Sequence, residues 1–444
     1  MNSSDTKNIS IPKLRFPGFT QKDWRKISFI NVSDKKIKWS FIGGPFGSNL
    51  QSSDYTENGV RIIQLQNIGD GEFSNDYQIF TSEEKADELL SCNIYPGDII
   101  MSKMGDPVGR ACLIPDIHPR YVMCSDGIRV VVDEKEFNKY FIYSLINSDL
   151  FRGLVEKTAT GSTRKRIGLD DLKNLPMMVP ADLDEQKKIA DCLSALDELI
   201  TAENQKLEAL QHHKKGLIEQ LFPADGLKVP KLRFKEFRNS GDWEEKPLGS
   251  LVEKVGSGVT PLGGDANYKK SGRPFVRSQN VGWGIFLLND IAFIDEETHQ
   301  DSVSTEIKTG DVLLNITGAS IGRSAVANEI VNGGNVNQHV CIIRTIKTEL
   351  NAFFLNQYLV SSYGQEQIDS FQAGGNRQGL NFAQIRSFSI PIPPKLEEQQ
   401  KLADCLFFVD KLINEQSQKV ESVKVHKKGL MQQLFPSTCD IETS

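Results

Sequence analysis

The sequence predicts an α+β chain: two tandem α/β globules related by a pseudo-two-fold axis and separated by two long antiparallel coiled-coil helices. Two observations carry this. The stretch Asp182–Phe222 has no Pro, and its apolar residues fall at Ile189, Leu193, Leu196, Ile200, Leu207, Leu210, Leu217 and Leu221. With Glu203 and Lys214 filling two further seam positions, the steps alternate four and three, which is the heptad seam of a helix packed on another helix. The second observation is that this stretch recurs. Lys395–Phe435 carries its own seam at Leu402, Leu406, Val409, Ile413, Val420, Val423, Leu430 and Leu434, each 213 positions after its counterpart, with Gln416 and Lys427 echoing Glu203 and Lys214.

Each helix has legible ends. Asp182 with Glu185 three residues later reads as a capping-box-like start, and Pro223 ends the segment. At 1.5 Å per residue the helix is roughly 60 Å long, so its seam needs a partner outside any one small globule. The second helix is entered through Pro393-Pro394, with Lys395 where Asp182 stood.

The repeat extends into the globules. Ile11-Pro-Lys-Leu-Arg-Phe-Pro-Gly-Phe19 precedes Asp23-Trp24, and Val229-Pro-Lys-Leu-Arg-Phe-Lys-Glu-Phe237 precedes Asp242-Trp243. Gln66-Asn67-Ile68-Gly69 matches Gln279-Asn280-Val281-Gly282, and Gly97-Asp98-Ile99-Ile100 matches Gly310-Asp311-Val312-Leu313. Gly109-Arg110 matches Gly322-Arg323. Short β-rich runs, Ile128–Val132 and Val340–Arg344, predict strands, and Phe137–Leu154 and Asn351–Phe371 read as helices. Pro223-Ala-Asp-Gly226 marks the hinge. The divisions expected are 1–181, first globule; 182–222, first long helix; 223–394, second globule; 395–436, second long helix; and 437–444, a tail.

Composition sets bounds. Of 444 residues, 39% are hydrophobic and 25% charged, as in a globular protein. No apolar run approaches a membrane span, and the polar N-terminus has no signal-peptide core; the expectation is a cytoplasmic protein without membrane contact. Seven cysteines include no C-x-x-C pair and read as free buried thiols. A net charge of −6 excludes a polybasic coat but leaves room for a local basic groove. There is no phosphate-binding Gly-x-x-x-x-Gly-Lys-Ser/Thr loop, no H-E-x-x-H and no Asn/Asp-Pro-Pro-aromatic tetrapeptide. Gly256-Ser-Gly258 starts like a dinucleotide fingerprint but has Pro261 where the third glycine belongs. His212-His213 reads as a solvated pair on a charged helix face. Pro115-Asp116 with Asp133-Glu134-Lys135 has the outline of a metal-nuclease signature, but the second half has Glu329 and Ile346 there, and Asp133–Glu136 reads as a turn after a strand.

Two similar modules in inverted orientation match the local symmetry of double-stranded DNA. DNA contact needs cations for phosphates and side chains that reach base edges. The candidates are Ser162, Thr163, Arg164, Lys165 and Arg166 in a Gly-led loop, their counterparts Asn376, Arg377 and Gln378, the paired Arg110 and Arg323, and Lys103, which faces Ile316 across the repeat. The glycine loops Gly43–Ser48 and Gly256–Pro261 could bring backbone N–H groups near phosphates or simply turn the chain. Gln66-Asn67 and Gln279-Asn280, kept in both halves, read as shaping the globules; Trp24 and Trp243 read as core anchors.

These motifs, in order and twice, resemble the specificity subunit of type I restriction–modification systems, the HsdS family. The resemblance rests on PKLRF…F…DW opening each half and on PGDIIMSKMGDPVGRACLI with TGDVLLNITGASIGRSAVA. It rests also on TGSTRKRIGLDDLKNLPMMVP and GGNRQGLNFAQIRSFSIPIP running into EQKKIADCL and EQQKLADCL, and on KKGL-x-x-QLFP closing each helix. It implies that each globule is a target-recognition domain reading one half of a split, asymmetric site in double-stranded DNA. The helices would set the unread gap, with flanking faces including Lys214-Lys215 and Lys427-Lys428 open to partners. It implies two modification methyltransferase subunits carrying S-adenosylmethionine, motor-nuclease restriction subunits using ATP and Mg²⁺, and no cofactor or catalytic residue in this chain. Two other readings stay open: a stand-alone metal-dependent nuclease, and a tandem-repeat protein scaffold.

Overall fold

The computed structural model describes residues 12–261, 264, 268–372 and 379–436. Contacts divide the chain into two compact units. One takes residues 1–204 with 419–444, and the other takes 205–418. Each unit therefore holds one globule and a part of both long helices, so the compact units cut across a globule-by-helix division of the sequence.

In the first unit a four-stranded antiparallel sheet runs Phe41–Gly43, Gly127–Val130, Ile99–Ser102, Ala111–Leu113. A second sheet of five short strands is built around Val60–Ile63, which runs parallel to Tyr121–Met123. In the second unit Val252–Ser257, Val340–Thr345, Val312–Asn315 and Ser324–Val326 form the matching four-stranded sheet. Arg273–Val276 pairs in parallel with Asn335–Val336, as in the first unit. The central strands are buried along their length, which is why they read as continuous apolar runs rather than alternating ones. The long apolar stretches that follow break into helix pairs, Lys139–Ile146 with Asp149–Thr158 and Ala352–Val360 with Ser362–Ser370. The breaks fall where Ser148 and Ser361 cap the second helix by accepting a backbone N–H.

Both signposts Asn67 and Asn280 are buried brackets. Each accepts from the N–H three residues back and donates to two carbonyls downstream. The Gly-Asp turns are alike too. Asp98 accepts from Tyr95 N and from Arg129, and Asp311 from Lys308 N and from Arg344. Burial raises the Asp98 carboxyl above its usual range, and Arg129 opposes that shift. Trp24 and Trp243 are both in the core.

The long helices are continuous, Leu183–Leu221 and Leu396–Leu434. No helix among the described residues is long and apolar enough to cross a membrane. In the first unit the helices run antiparallel, with Asp197 bonded to Lys427 at 2.5 Å and Glu203 to Lys419 at 2.6 Å. In the second unit Lys214 meets Asp410 at 2.6 Å. Of the seam positions, Ile189, Leu193, Leu402, Leu406, Val409 and Val420 are buried, and Leu196, Ile200, Leu207, Leu210, Ile413 and Val423 are half-buried. Lys214 and Lys427 therefore correct one expectation. They are not open charged faces, because each spans the pair to an aspartate of the other helix. The neighbouring Lys215 and Lys428 stay exposed.

The helix ends show what the flanking motifs do. Glu185 is not a capping-box partner of Asp182. It is buried, takes both Nε and Nη2 of Arg15 at 2.8 and 2.7 Å, and accepts from the Trp24 indole. A buried carboxylate needs a cation more than the helix start needs a second cap, and Asp182 caps alone through Asp184 N. Glu398 takes Arg233 in the same way. The next residue, Gln186 or Gln399, accepts the backbone N–H of the N-cap Asn138 or Asn351. The closing QLFP motif has the opposite destination. Leu434 and Phe435 sit in the core of the first unit, with Phe435 against Phe141 at 5.7 Å. Leu221 and Phe222 sit in the core of the second, with Phe222 against Phe354 at 5.4 Å.

Candidate nucleic-acid interface

In the first unit three chain segments meet at one junction. Lys103 N donates to Asp126 O at 2.6 Å, and Ile167 N donates to Lys103 O at 3.0 Å. Lys165-Arg166 pairs as a short strand with Met104-Gly105, closing a hairpin whose tip is Gly161–Arg164. The glycine loop arrives from a fourth direction. Gly44 N donates to Gly127 O at 2.8 Å, and a Cβ on Gly44 would lie 1.7 Å from Cys124 O, so only glycine fits there. Together these segments line a cleft of about 1230 Å³ that includes Gly43–Gly47, Lys103, Ser125, Asp126, Thr160 and Arg166.

The second unit repeats the backbone of this junction. Ile316 N donates to His339 O, and Leu380 N to Ile316 O, both at 2.9 Å. Gly258 N donates to Asn337 O at 3.2 Å, and a Cβ on Gly258 would lie 1.5 Å from Val336 O. The side chains differ throughout. Lys103 corresponds to Ile316, Ser125-Asp126 to Gln338-His339, and Arg166 to Gly379. At the loop tips Phe46 is 83% exposed and Val259 is 65% exposed.

The predicted residues distribute unevenly. Lys103 and Arg166 come together in the cleft, with Arg166 Nη2 3.1 Å from Asp126 Oδ1. Ser162, Thr163 and Arg164 are exposed at the hairpin tip. Lys165 turns to Glu156 instead. Arg110 and Arg323 lie outside the cleft lining. Each occupies the turn after its strand, where its carbonyl accepts from Ser102 N or Asn315 N, and each has a buried Nε without a partner among the described residues. Asn376, Arg377 and Gln378 lie outside the described residues.

Ser125, Asp126, Gln338, His339 and Phe46 were not singled out from the sequence. Their signal was available as positions where two copies of one framework carry different polar or exposed groups. The mixture of Lys103 and Arg166 with Asp126 can meet phosphate, a base acceptor and a base amino group in one place. Burial pushes the adjoining Cys124 thiol up, so it stays neutral there. Among the cysteines, Cys92, Cys112 and Cys341 are buried, while Cys124, Cys192 and Cys405 are only partly so. The nuclease-like residues go elsewhere. Asp133 accepts from Lys135 N in a local turn and Glu134 pairs with Lys139. Among the described residues no group of three His, Cys, Asp or Glu is placed to hold a metal ion.

Residues 56–212 and 240–422 match the family model for the type I restriction modification DNA specificity domain, one match per repeat and together more than half of the chain. The MjaVIII type I restriction enzyme specificity subunit of Methanocaldococcus jannaschii is 25% identical over 301 residues, 67% of this chain and 69% of that one. The EcoBI specificity subunit of Escherichia coli is 22% identical over 395 residues, 85% and 77% of the two chains. The crystal structure of a type I restriction–modification S subunit from M. genitalium superposes with a TM-score of 0.58 at 18% identity, covering 96% of this chain and 99% of that one.

Proposed function

This chain belongs to the type I restriction–modification DNA specificity family, and on that premise we propose how its parts divide the work. Each globule reads one half of a bipartite, asymmetric DNA target. The long helices set the unread gap and dock two modification methyltransferase subunits. S-adenosylmethionine, ATP and Mg²⁺ belong to the partner subunits, with motor-nuclease restriction subunits joining the same assembly, and this chain contributes recognition without chemistry of its own.

One observation carries this reading. The same backbone junction occurs in both units, with Lys103 or Ile316 donating to Asp126 O or His339 O and accepting from Ile167 N or Leu380 N, and it presents different side chains. A framework kept constant while its exposed groups vary is what two readers of unlike sequences require, because phosphate contacts position a protein and base contacts specify the site. A scaffold for two copies of one protein would keep the exposed groups alike.

Methylome sequencing of the source cell with and without the gene tests the proposal. The expected result is a split, adenine-methylated motif that disappears on deletion. An unchanged methylome would sink it. Exchanging residues 1–180 for another family member's first globule should change one half-site alone.

A further inference from the structure

In the second unit the exposed Gln338 is held by neighbours on two sides. The Thr260 hydroxyl donates to Gln338 Oε1. Gln338 Nε2 lies 3.0 Å from His339 Nε2, and the other ring nitrogen of His339 lies 2.5 Å from the Thr317 hydroxyl. With Nε2 accepting from the amide, the imidazole proton sits on Nδ1 and is given to Thr317. His339 is in turn anchored by its own N–H on Asn337 Oδ1 at 3.1 Å. The chain Thr260–Gln338–His339–Thr317 thus joins the glycine loop to the Ile316–Thr317 turn.

An amide has two N–H donors and two acceptor lone pairs. Here one of each is used inside the network. That leaves one N–H and one lone pair of this exposed amide unspent within the network, both in the amide plane. The major-groove edge of adenine offers the complement, N7 as acceptor and the N6 amino group as donor. Guanine offers two acceptors there, cytosine a lone donor, and thymine an acceptor beside a methyl group, so no other single base satisfies both groups. Exchanging the amide's O and N would leave the same pair unspent, so the match survives a flip.

We propose that Gln338 reads an adenine in the half-site of the second globule through a bidentate major-groove contact, with Thr260 and His339 as positioning residues that pre-orient its amide. This rests on the half-site reading above and adds to it a residue and a base. The first unit has Ser125-Asp126 at the equivalent place, so the adenine contact is specific to one half of the target.

The test uses the full chain assembled with its modification subunits. The wild-type complex first selects its preferred duplexes from a random pool, and Gln338→Ala and Gln338→Asn are then measured on duplexes substituted one base pair at a time. Gln338→Ala should lose preference for A·T at one position of one half-site by about 10- to 100-fold, with other positions unchanged. Replacing that adenine by 7-deazaadenine should weaken the wild type and leave Gln338→Ala unaffected. Thr260→Val should relax the same position by a smaller factor, and Gln338→Asn, too short to keep the network, should behave like the alanine variant. Unchanged preference at every position, loss at a G·C pair, or equal weakening on all duplexes would overturn the adenine contact and leave the half-site reading standing. Selection of no split sequence by the wild type would overturn both.

Discussion

Arg233 lies 2.7 and 2.8 Å from the two carboxylate oxygens of Glu398, a residue 165 positions away, and both side chains are buried. The pair ties the opening motif of the second half to the head of the second long helix, and Arg15 with Glu185 does the same in the first unit. Removing the arginine leaves a carboxylate in a place where water cannot replace the lost partner. Arg233→Ala should therefore destabilise its unit by about 3–5 kcal/mol. Replacing both residues, Arg233→Met with Glu398→Leu, should recover much of that loss. Urea denaturation of the three variants measures both effects.

Phe222 belongs to the first long helix by sequence and to the second unit by packing, among Trp243, Phe354 and Tyr358. Truncating a buried aromatic costs about 3–5 kcal/mol. In Phe222→Ala the loss should appear as faster amide exchange in strands such as Val312–Asn315 of the second unit. The equivalent strand Ile99–Ser102 of the first unit should keep its protection. Equal loosening of both would contradict the assignment of this helix end to one core.

These two contacts show what was legible in the sequence and what was not. The seam was readable because helix packing imposes a short period, and the duplication because the landmarks recur in the same order, at an offset of 213 beyond the opening motifs. The QLFP motif was visible as a repeat, but its destination was not, since the core that receives Phe222 is assembled from strands up to 170 residues downstream. Glu185 was misread for a similar reason. Local spacing suggested a cap, while a distant arginine supplied the partner that a buried carboxylate requires. Of the site, Lys103 is legible as a cation where the other half has Ile316, and Arg166 as part of a basic, Gly-led loop. For Gln338 and Phe46 the difference between the two copies is legible in the sequence, but their exposure needed the fold, because many positions differ and only some are left open to solvent.

Lys103 stands at a junction whose backbone is kept when isoleucine occupies the equivalent place in the second unit. Lys103→Ile should thus fold normally. If Lys103 meets a phosphate, the variant should weaken binding on all sequences alike and lower the dependence of log K on log salt by about one. Titrations at several salt concentrations measure this, and a change confined to one base pair would instead make Lys103 a base reader.

Two exposed carboxylates give the turn at Asp295 an acid-sensitive contribution. Asp295 is held down to about 2 by the hydroxyl and N–H of Thr298 and by Lys269, and Glu296 to about 2 by Arg273 and Gln300. Both values lie below the ordinary carboxylate range of about 4. Their contribution is therefore fully present above about pH 4 and is lost as pH falls through about 2. Asp295→Ala should lower the melting temperature at pH 6, and the gap to wild type should close as pH approaches 2. A gap that persists there would mean that packing, not charge, holds this turn.

The spacer role can be tested by shortening both helices together. Glu203 pairs with Lys419 in one unit and Lys214 with Asp410 in the other. Deleting residues 204–210 and 412–418 removes one heptad from each strand and keeps those partners in phase. Seven residues at 1.5 Å each shorten a helix by about 10 Å, and DNA rises about 3.4 Å per base pair. On the proposed reading, the preferred gap between half-sites should shrink by about three base pairs while the two half-sites stay the same. Selection from a duplex pool with randomised gap length measures this directly. A preferred gap that does not move would show that something other than these helices sets the spacing.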